Sequence, residues 1–226
     1  MMSEKNRILI VAATHLEIES LISLQKEGIY PKETGIDFLV TGIGIANTIF
    51  NLTALLKDVA YQRVINVGIC GAYNRALELG QVVEVTEDYF ADQGIEDGKE
   101  YWRWHEAGIG ANLDFPYTEK GRLLPSFPIA FLNLAKVVSI TSDTVHASEQ
   151  SIERIIRQFS PDIETMEGAA VFYVCRKLNI DVTQIRAVSN YVGKRNKKEW
   201  RIELALDRLT QAVRELIENF KDPANP

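Results

Sequence analysis

The run Ile8-Leu9-Ile10-Val11-Ala12-Ala13 is apolar at every position. A strand with one wet face alternates apolar and polar residues, so a run without alternation belongs to a strand covered on both faces, as in a parallel sheet flanked by helices. Thr14-His15-Leu16-Glu17 follows as a helix entry and places Glu17 near the carboxyl end of that strand. Further buried strands are read at 37–41, 63–67, 82–86, 136–140 and 183–189, with helical patterns between them at 43–56, 148–159 and 167–178. Leu206, Leu209, Val213, Leu216, Ile217 and Phe220 form one apolar stripe on a terminal helix that packs back on the sheet. This alternation argues for an α/β sandwich.

A chain of 226 residues with 46% hydrophobic residues buries a full core as one domain over 1–226, with a disordered tail at about 222–226. The net charge of −6 gives no long-range attraction for nucleic acid or for an anionic membrane. A small-molecule partner is the expectation. Cys70 and Cys175 lie in apolar runs without CxxC or Cys/His spacing, which reads as packed thiols in a reducing compartment. The first apolar run is too short for a signal peptide or a membrane span, so a cytoplasmic protein is expected. His15, His105 and His146 have no ligand spacing, so no metal is expected, and no cofactor either.

Two segments carry the chemistry. Glu164-Thr165-Met166-Glu167-Gly168-Ala169-Ala170 sets a carboxylate at a strand-to-helix junction, and Arg186-Ala187-Val188-Ser189-Asn190 ends a strand on an amide. A carboxylate able to hold ribose and an amide able to hold a base suggest cleavage of an N-glycosidic bond, which needs an activated nucleophile, a held sugar and a departing base. Glu17 reads either as a general base for water or as a first-turn glutamate on a helix dipole. Glu167, between Met166 and Gly168-Ala169-Ala170, needs donors in so apolar a setting, and it reads either as a ribose ligand or as a cap on its own helix amides. Asn190 reads either as a purine-edge ligand or as a turn former before Tyr191-Val192-Gly193.

Thr41-Gly42-Ile43-Gly44 lacks the third glycine of a dinucleotide fingerprint and reads as a tight strand-helix turn. Gly68-Ile69-Cys70-Gly71 reads as a close backbone approach to a ligand or a helix. The stretch 93–127, with Tyr101-Trp102-Arg103-Trp104-His105 at its centre, reads as an excursion over a site or as a plain surface loop. Lys194-Arg195-Asn196-Lys197-Lys198 reads as a solvated loop or as the place where Arg195 meets an anionic group on a substrate.

Taken in order, Val40-Thr41-Gly42-Ile43-Gly44, Asn66-Val67-Gly68-Ile69-Cys70-Gly71, Met166-Glu167-Gly168-Ala169-Ala170 and Arg186-Ala187-Val188-Ser189-Asn190 resemble the nucleoside phosphorylase and nucleosidase superfamily, and within it the futalosine hydrolases of the menaquinone pathway. The resemblance runs from Ile8 to Phe220. It implies an α/β/α sandwich with a central mixed, partly barrel-like sheet, and a homodimer or higher homo-oligomer. It also implies Glu17 as the base for water, Glu167 on the ribose hydroxyls and Met166 under the sugar. It further implies Gly71 and Ser189 as substrate-binding residues, and Val145-His146 match the segment that lies along the purine in relatives.

Related adenine-specific nucleosidases carry an aspartate where this chain has Asn190, and a neutral amide cannot protonate a leaving base. It can bond the N7 and O6 edge of hypoxanthine, which implies a 6-oxopurine nucleoside. The segment 68–71 lacks the serine and the cation that phosphorylases place around phosphate, which favours water as nucleophile. The benzoate of futalosine would need an apolar pocket, from Tyr101, Trp102 and Trp104, and a cation, Arg195 or Arg103. Alternatives are a methylthioadenosine-type nucleosidase, a phosphorylase acting on inosine, and a non-catalytic nucleoside sensor.

Overall fold

The structure, a computed structural model, describes residues 7–28, 35–98, 100–108, 114–129 and 132–220, with Glu119 by its backbone alone; the tail expected at 222–226 lies outside them. The first apolar run forms β1 (Ile8–Ala12), followed by α1 (His15–Lys26), β2 (Ile36–Val40) and α2 (Ile45–Asp58). Next come β3 (Arg63–Ala72) and β4 (Val82–Phe90), then the short hairpin of β5 (Gly94–Asp97) and β6 (Glu100–Arg103). The remaining elements are β7 (Ala135–Thr141), α3 (Glu149–Phe159), β8 (Ile163–Thr165), α4 (Gly168–Lys177), β9 (Asp181–Tyr191) and α5 (Ile202–Phe220).

The main sheet runs β2-β1-β3-β8-β7-β4-β9, and β9 pairs again with β3. That last ladder closes β3, β8, β7, β4 and β9 into a barrel, from which β1 and β2 extend as an open parallel wing. The sheet is mixed because β3–β8 and β4–β9 are antiparallel while the other ladders are parallel. Closure removes the edges that long strands such as β3 and β9 would otherwise expose.

Helices cover both sides. Ile18 and Leu21 of α1 share a core with Ala205, Leu209, Val213, Leu216 and Ile217 of α5, whereas Leu52 and Leu56 of α2 share another with Val171, Phe172 and Val174 of α4. The terminal stripe is therefore buried as expected, except that Leu206 and Phe220 are half-buried at its border. Ser148 caps α3 through its Oγ, which accepts from the Ser151 amide (3.2 Å).

The described part of the stretch 93–127 is anchored on the body of the protein. Its hairpin docks on α3, where Gln158 Nε2 donates to the Tyr101 carbonyl (2.9 Å) and Arg154 pairs with Glu96 (3.3 Å). The Tyr101 hydroxyl donates to the Ala91 carbonyl just after β4 (2.9 Å). Trp102 and Trp104 of this stretch are exposed, and Trp104 and His105 line a small cleft together with Tyr89, Phe90, Tyr117 and Phe159.

Candidate active site

Glu17 stands on the first turn of α1 and is 8% exposed. Its Oε2 accepts from the Thr14 amide (3.0 Å) and Thr14 Oγ1 (2.9 Å), and its Oε1 accepts from the Ile69 amide in β3 (3.1 Å). The first-turn reading is met, since the glutamate closes the start of its helix with one oxygen, and its other oxygen reaches the central strand.

The approach of Glu17 explains Gly68. A Cβ there would lie 2.6 Å from Glu17 Oε1 and press on Arg186 Nη1, which faces Gly68 across the β3–β9 ladder. The close approach read at 68–71 is thus made by a helix residue and a neighbouring strand residue. Arg186 is 1% exposed; its Nη2 donates to Gln184 Oε1 (3.0 Å), and its Nε has no hydrogen-bond partner among the described residues.

Glu167, 6% exposed, immediately precedes α4 and makes no cap bond to that helix. The first amides of α4 are already taken, Gly168 N by Thr165 Oγ1 (3.2 Å) and Ala169 N by Thr141 Oγ1 (2.8 Å). The carboxylate turns instead to the start of α2, where Oε1 accepts from the Gly44 amide (3.0 Å). Gly44 holds φ +93°, a backbone setting open chiefly to glycine. Burial pushes the pKa of Glu167 up; Arg186 and the Gly44 amide pull it back, and nearby Glu17 pushes it up again. Glu17, Arg186 and Glu167 therefore form one electrostatic group drawn from α1, β9 and the head of α4. The sequence reading quoted Arg186 within a motif but assigned it no role; a lone cation inside a strand read as buried was the available signal.

Asn190 lies further along β9. The register with β3 slips so that Cys70 faces Val188 and Gly71 faces Asn190, leaving Ser189 as an extra residue. Such a bulge re-aims the side chains that follow it. Ser189 Oγ lies 3.1 Å from the Cys70 carbonyl and 2.8 Å from Asn190 Oδ1, so its one proton helps set which way the amide faces. Gly71 leaves room between Asn190 Nδ2 and Glu164.

Asn190 and Arg195 line one cavity of about 830 Å³ together with Arg75, Lys194 and Arg201, Tyr191 and Trp200. Arg195 stacks on Trp200 at 5.8 Å and Arg75 on Tyr191 at 4.6 Å. The structure thus joins Arg195 to Asn190. It does not join Trp102 to them: that residue pairs with Ile95 in the hairpin on α3, and Tyr191 and Trp200 supply the aromatic wall instead. Arg103 is engaged with Glu106 (2.6 Å) on the same hairpin. Val145 is exposed, while His146 is buried with Nδ1 3.0 Å from Glu164 Oε2, an oxygen that also accepts from the Tyr73 hydroxyl (2.7 Å). Met166 is half-buried beside Glu167.

A family model described as the phosphorylase superfamily matches residues 8–218. The chain belongs to the phosphorylase superfamily. It is similar to a futalosine hydrolase of Thermus thermophilus, 32% identical over 216 residues that cover 91% of this chain and 90% of the other. It is also similar to a 5'-methylthioadenosine/S-adenosylhomocysteine nucleosidase of Anoxybacillus flavithermus, 29% identical over 69% of this chain and 68% of that protein. Among solved structures, the Neisseria meningitidis 5'-methylthioadenosine/S-adenosylhomocysteine nucleosidase in complex with methylthio-immucillin-A superposes with TM-score 0.74 at 18% identity, covering 94% of this chain and 99% of that one. The native futalosine hydrolase of Helicobacter pylori gives TM-score 0.73 at 14% identity, covering 94% and 97%. These two likenesses bear on the fold, including the barrel and its parallel wing. No helix among the described residues is long and apolar enough to cross a membrane.

Proposed function

We propose that this member of the superfamily is a purine nucleosidase that hydrolyses the N-glycosidic bond, with futalosine as its substrate and hypoxanthine as the released base. The observation that carries the reading is the grouping of Glu17, Arg186 and Glu167. A binding protein needs one carboxylate for ribose hydroxyls; a second buried carboxylate facing a buried cation adds the means to draw a proton from water and to steady the charge that develops. Glu17 serves as base and Glu167 accepts from the sugar hydroxyls. Arg186, with an unpaired Nε, orients the water and favours the ionised form of Glu167.

The choice of futalosine rests on the cavity around Asn190. An amide donates to and accepts from a 6-oxopurine edge, and a substrate bearing a carboxylate suits a wall of Arg75, Lys194, Arg195 and Arg201 set among Tyr191, Trp200 and Leu79. Phosphate as nucleophile is disfavoured because segment 68–71 presents Ile69 and Cys70, whose thiol is buried and pushed up to about 12, instead of a serine hydroxyl, and the cation that the fold does bring against Gly68, Arg186, stands beside the Glu17 carboxylate. We further propose a homodimer that covers the exposed apolar side chains Ile43, Leu16, Val145 and the 73% exposed Phe50; Leu16 and Ile43 stand next to Glu17 and Gly44 in the chain.

The test is purine release in phosphate-free buffer, resolved by chromatography, from futalosine, methylthioadenosine and inosine. Hypoxanthine from futalosine alone supports the reading. Adenine from methylthioadenosine with no hypoxanthine from futalosine would transfer the chain to the other nucleosidase class.

A further inference from the structure

Behind the active-site group lies a further buried carboxylate that no step above uses. Asp88 on β4 is 0% exposed. Its Oδ2 accepts from Gln184 Nε2 (3.0 Å), and its Oδ1 accepts from both Thr141 Oγ1 (3.0 Å) and the Tyr89 amide (2.9 Å). From each oxygen a path leads to the site. Gln184 Oε1 accepts from Arg186 Nη2 (3.0 Å) and Asn66 Nδ2 (2.7 Å). Thr141 Oγ1 accepts from the Ala169 amide (2.8 Å) and meets Thr165 Oγ1 (3.2 Å), which accepts from the Gly168 amide, so these hydroxyls anchor the start of the helix that Glu167 precedes. Gly168 carries no side chain because a Cβ would press on Gln184 Oε1 and Asp88 Oδ2 together.

We infer that Asp88 is a positioning residue for the nucleosidase reaction, fixing Arg186 through Gln184 and the Glu167 junction through Thr141; this rests on the hydrolase reading above. The argument is one of donors and acceptors. Three donors converge on Asp88, and only a group without protons takes all three. Because it does, Gln184 must direct Nε2 to Asp88, which leaves Oε1 for Arg186, a donor only, and for Asn66 Nδ2. A reversed Gln184 would set two N–H groups against an arginine and an amide. The carboxylate is kept at a cost: burial pushes its pKa up to about 6 despite the bonds from Gln184 and Thr141, the charge of Arg186 and the Tyr89 amide. Leu or Val there would spare that cost only by leaving Gln184 Nε2, Thr141 Oγ1 and the Tyr89 amide without their acceptor.

The experiment exchanges the two groups. In Asp88→Asn an amide nitrogen placed at Oδ1 meets the Tyr89 N–H, so it takes the Oδ2 position, turns Gln184 over and removes the acceptor from Arg186. In the double variant Asp88→Asn with Gln184→Glu, the amide introduced on β4 is not needed as a three-fold acceptor: its oxygen serves Thr141 and Tyr89, and the new carboxylate on β9 accepts from its nitrogen, from Arg186 and from Asn66. With whichever purine nucleoside the wild type cleaves, Asp88→Asn lowers kcat by at least about tenfold with KM within about threefold, and the double variant recovers kcat to within about fivefold of wild type. Thr141→Val, which cuts only the path to the Glu167 junction, raises KM and leaves kcat within about threefold. Wild-type kcat in Asp88→Asn, or a double variant no faster than the single one, overturns the inference. Should Asp88→Asn fail to fold, a double variant that regains both the wild-type Tm and turnover supports it, and wild-type KM in Thr141→Val overturns it. A wild type that cleaves no nucleoside defeats the nucleosidase reading itself and the inference with it.

Discussion

Adding one carbon at Gly68 should disable the site while leaving the fold standing. In Gly68→Ala the new Cβ would lie 2.6 Å from Glu17 Oε1 and 3.3 Å from Glu17 Cδ, and closer still to Arg186 Nη1, whereas real Cβ atoms essentially never come within 3.0 Å of a neighbour. Neither partner is free to withdraw. Glu17 is tied to Thr14 N, Thr14 Oγ1 and Ile69 N, and Arg186 is tied to Gln184 with no solvent to enter. Overpacking of this kind costs about 1–3 kcal/mol. For a domain of this size each kcal/mol lowers Tm by roughly 2–4 °C, so a drop of roughly 2–12 °C is expected. A displacement of about 1 Å in positioned groups costs about 10²-fold, so kcat for purine release should fall by about two orders of magnitude. The assay is saturating hydrolysis by chromatography, with Tm from thermal unfolding. A Gly68→Ala protein with wild-type kcat would show that Glu17 and Arg186 do not act from the space over Gly68, and the grouping on which the functional reading rests would fail.

Glu17→Gln keeps the shape but cannot accept the proton of water, so turnover falls by about 10²–10⁴-fold while titration calorimetry still detects nucleoside binding. Asn190→Asp shifts preference from 6-oxopurine toward 6-aminopurine nucleosides, read as the ratio of kcat/KM for the two; an unchanged ratio would remove Asn190 from the base site. Arg195→Ala raises KM for futalosine and not for inosine, which lacks the carboxylate; equal effects on both would count against the arginine. Glu167 has a raised pKa, so it takes up its proton at a higher pH than an ordinary glutamate, and kcat/KM falls on the acid side at that higher pH. Glu167→Gln abolishes this limb, and an acid limb that persists unchanged in the variant assigns it to another group.

Elements with a periodic pattern were legible before folding was considered. β1, the cores of β3, β4, β7 and β9, and the faces of α2, α3, α4 and α5 fall where apolar runs and helical spacings place them, within a few residues at their ends. The three-residue β8 and the β5–β6 hairpin were not, since so short a strand carries no period and a hairpin set against α3 has its pattern written by that neighbour. The extension of β3 to Ala72 and β9 to Tyr191 also escaped, because glycines and polar residues at strand ends read locally as turns.

The same division holds at the site. Sequence by itself determined that Glu17 follows the first strand, that Glu167 heads a helix and that Asn190 ends a strand, because each position depends only on the local period of its own segment. Only the folded chain fixes that Glu167 bonds Gly44 and not its own helix, that Arg186 and Glu17 meet over Gly68, that Asn190 lines one cavity with Arg195 and not with Trp102, and that Asp88 accepts from Gln184. These are ladder registers and side-chain approaches between segments far apart in the chain, fixed by closure of the barrel, and no period within a single segment encodes which distant residue will meet it.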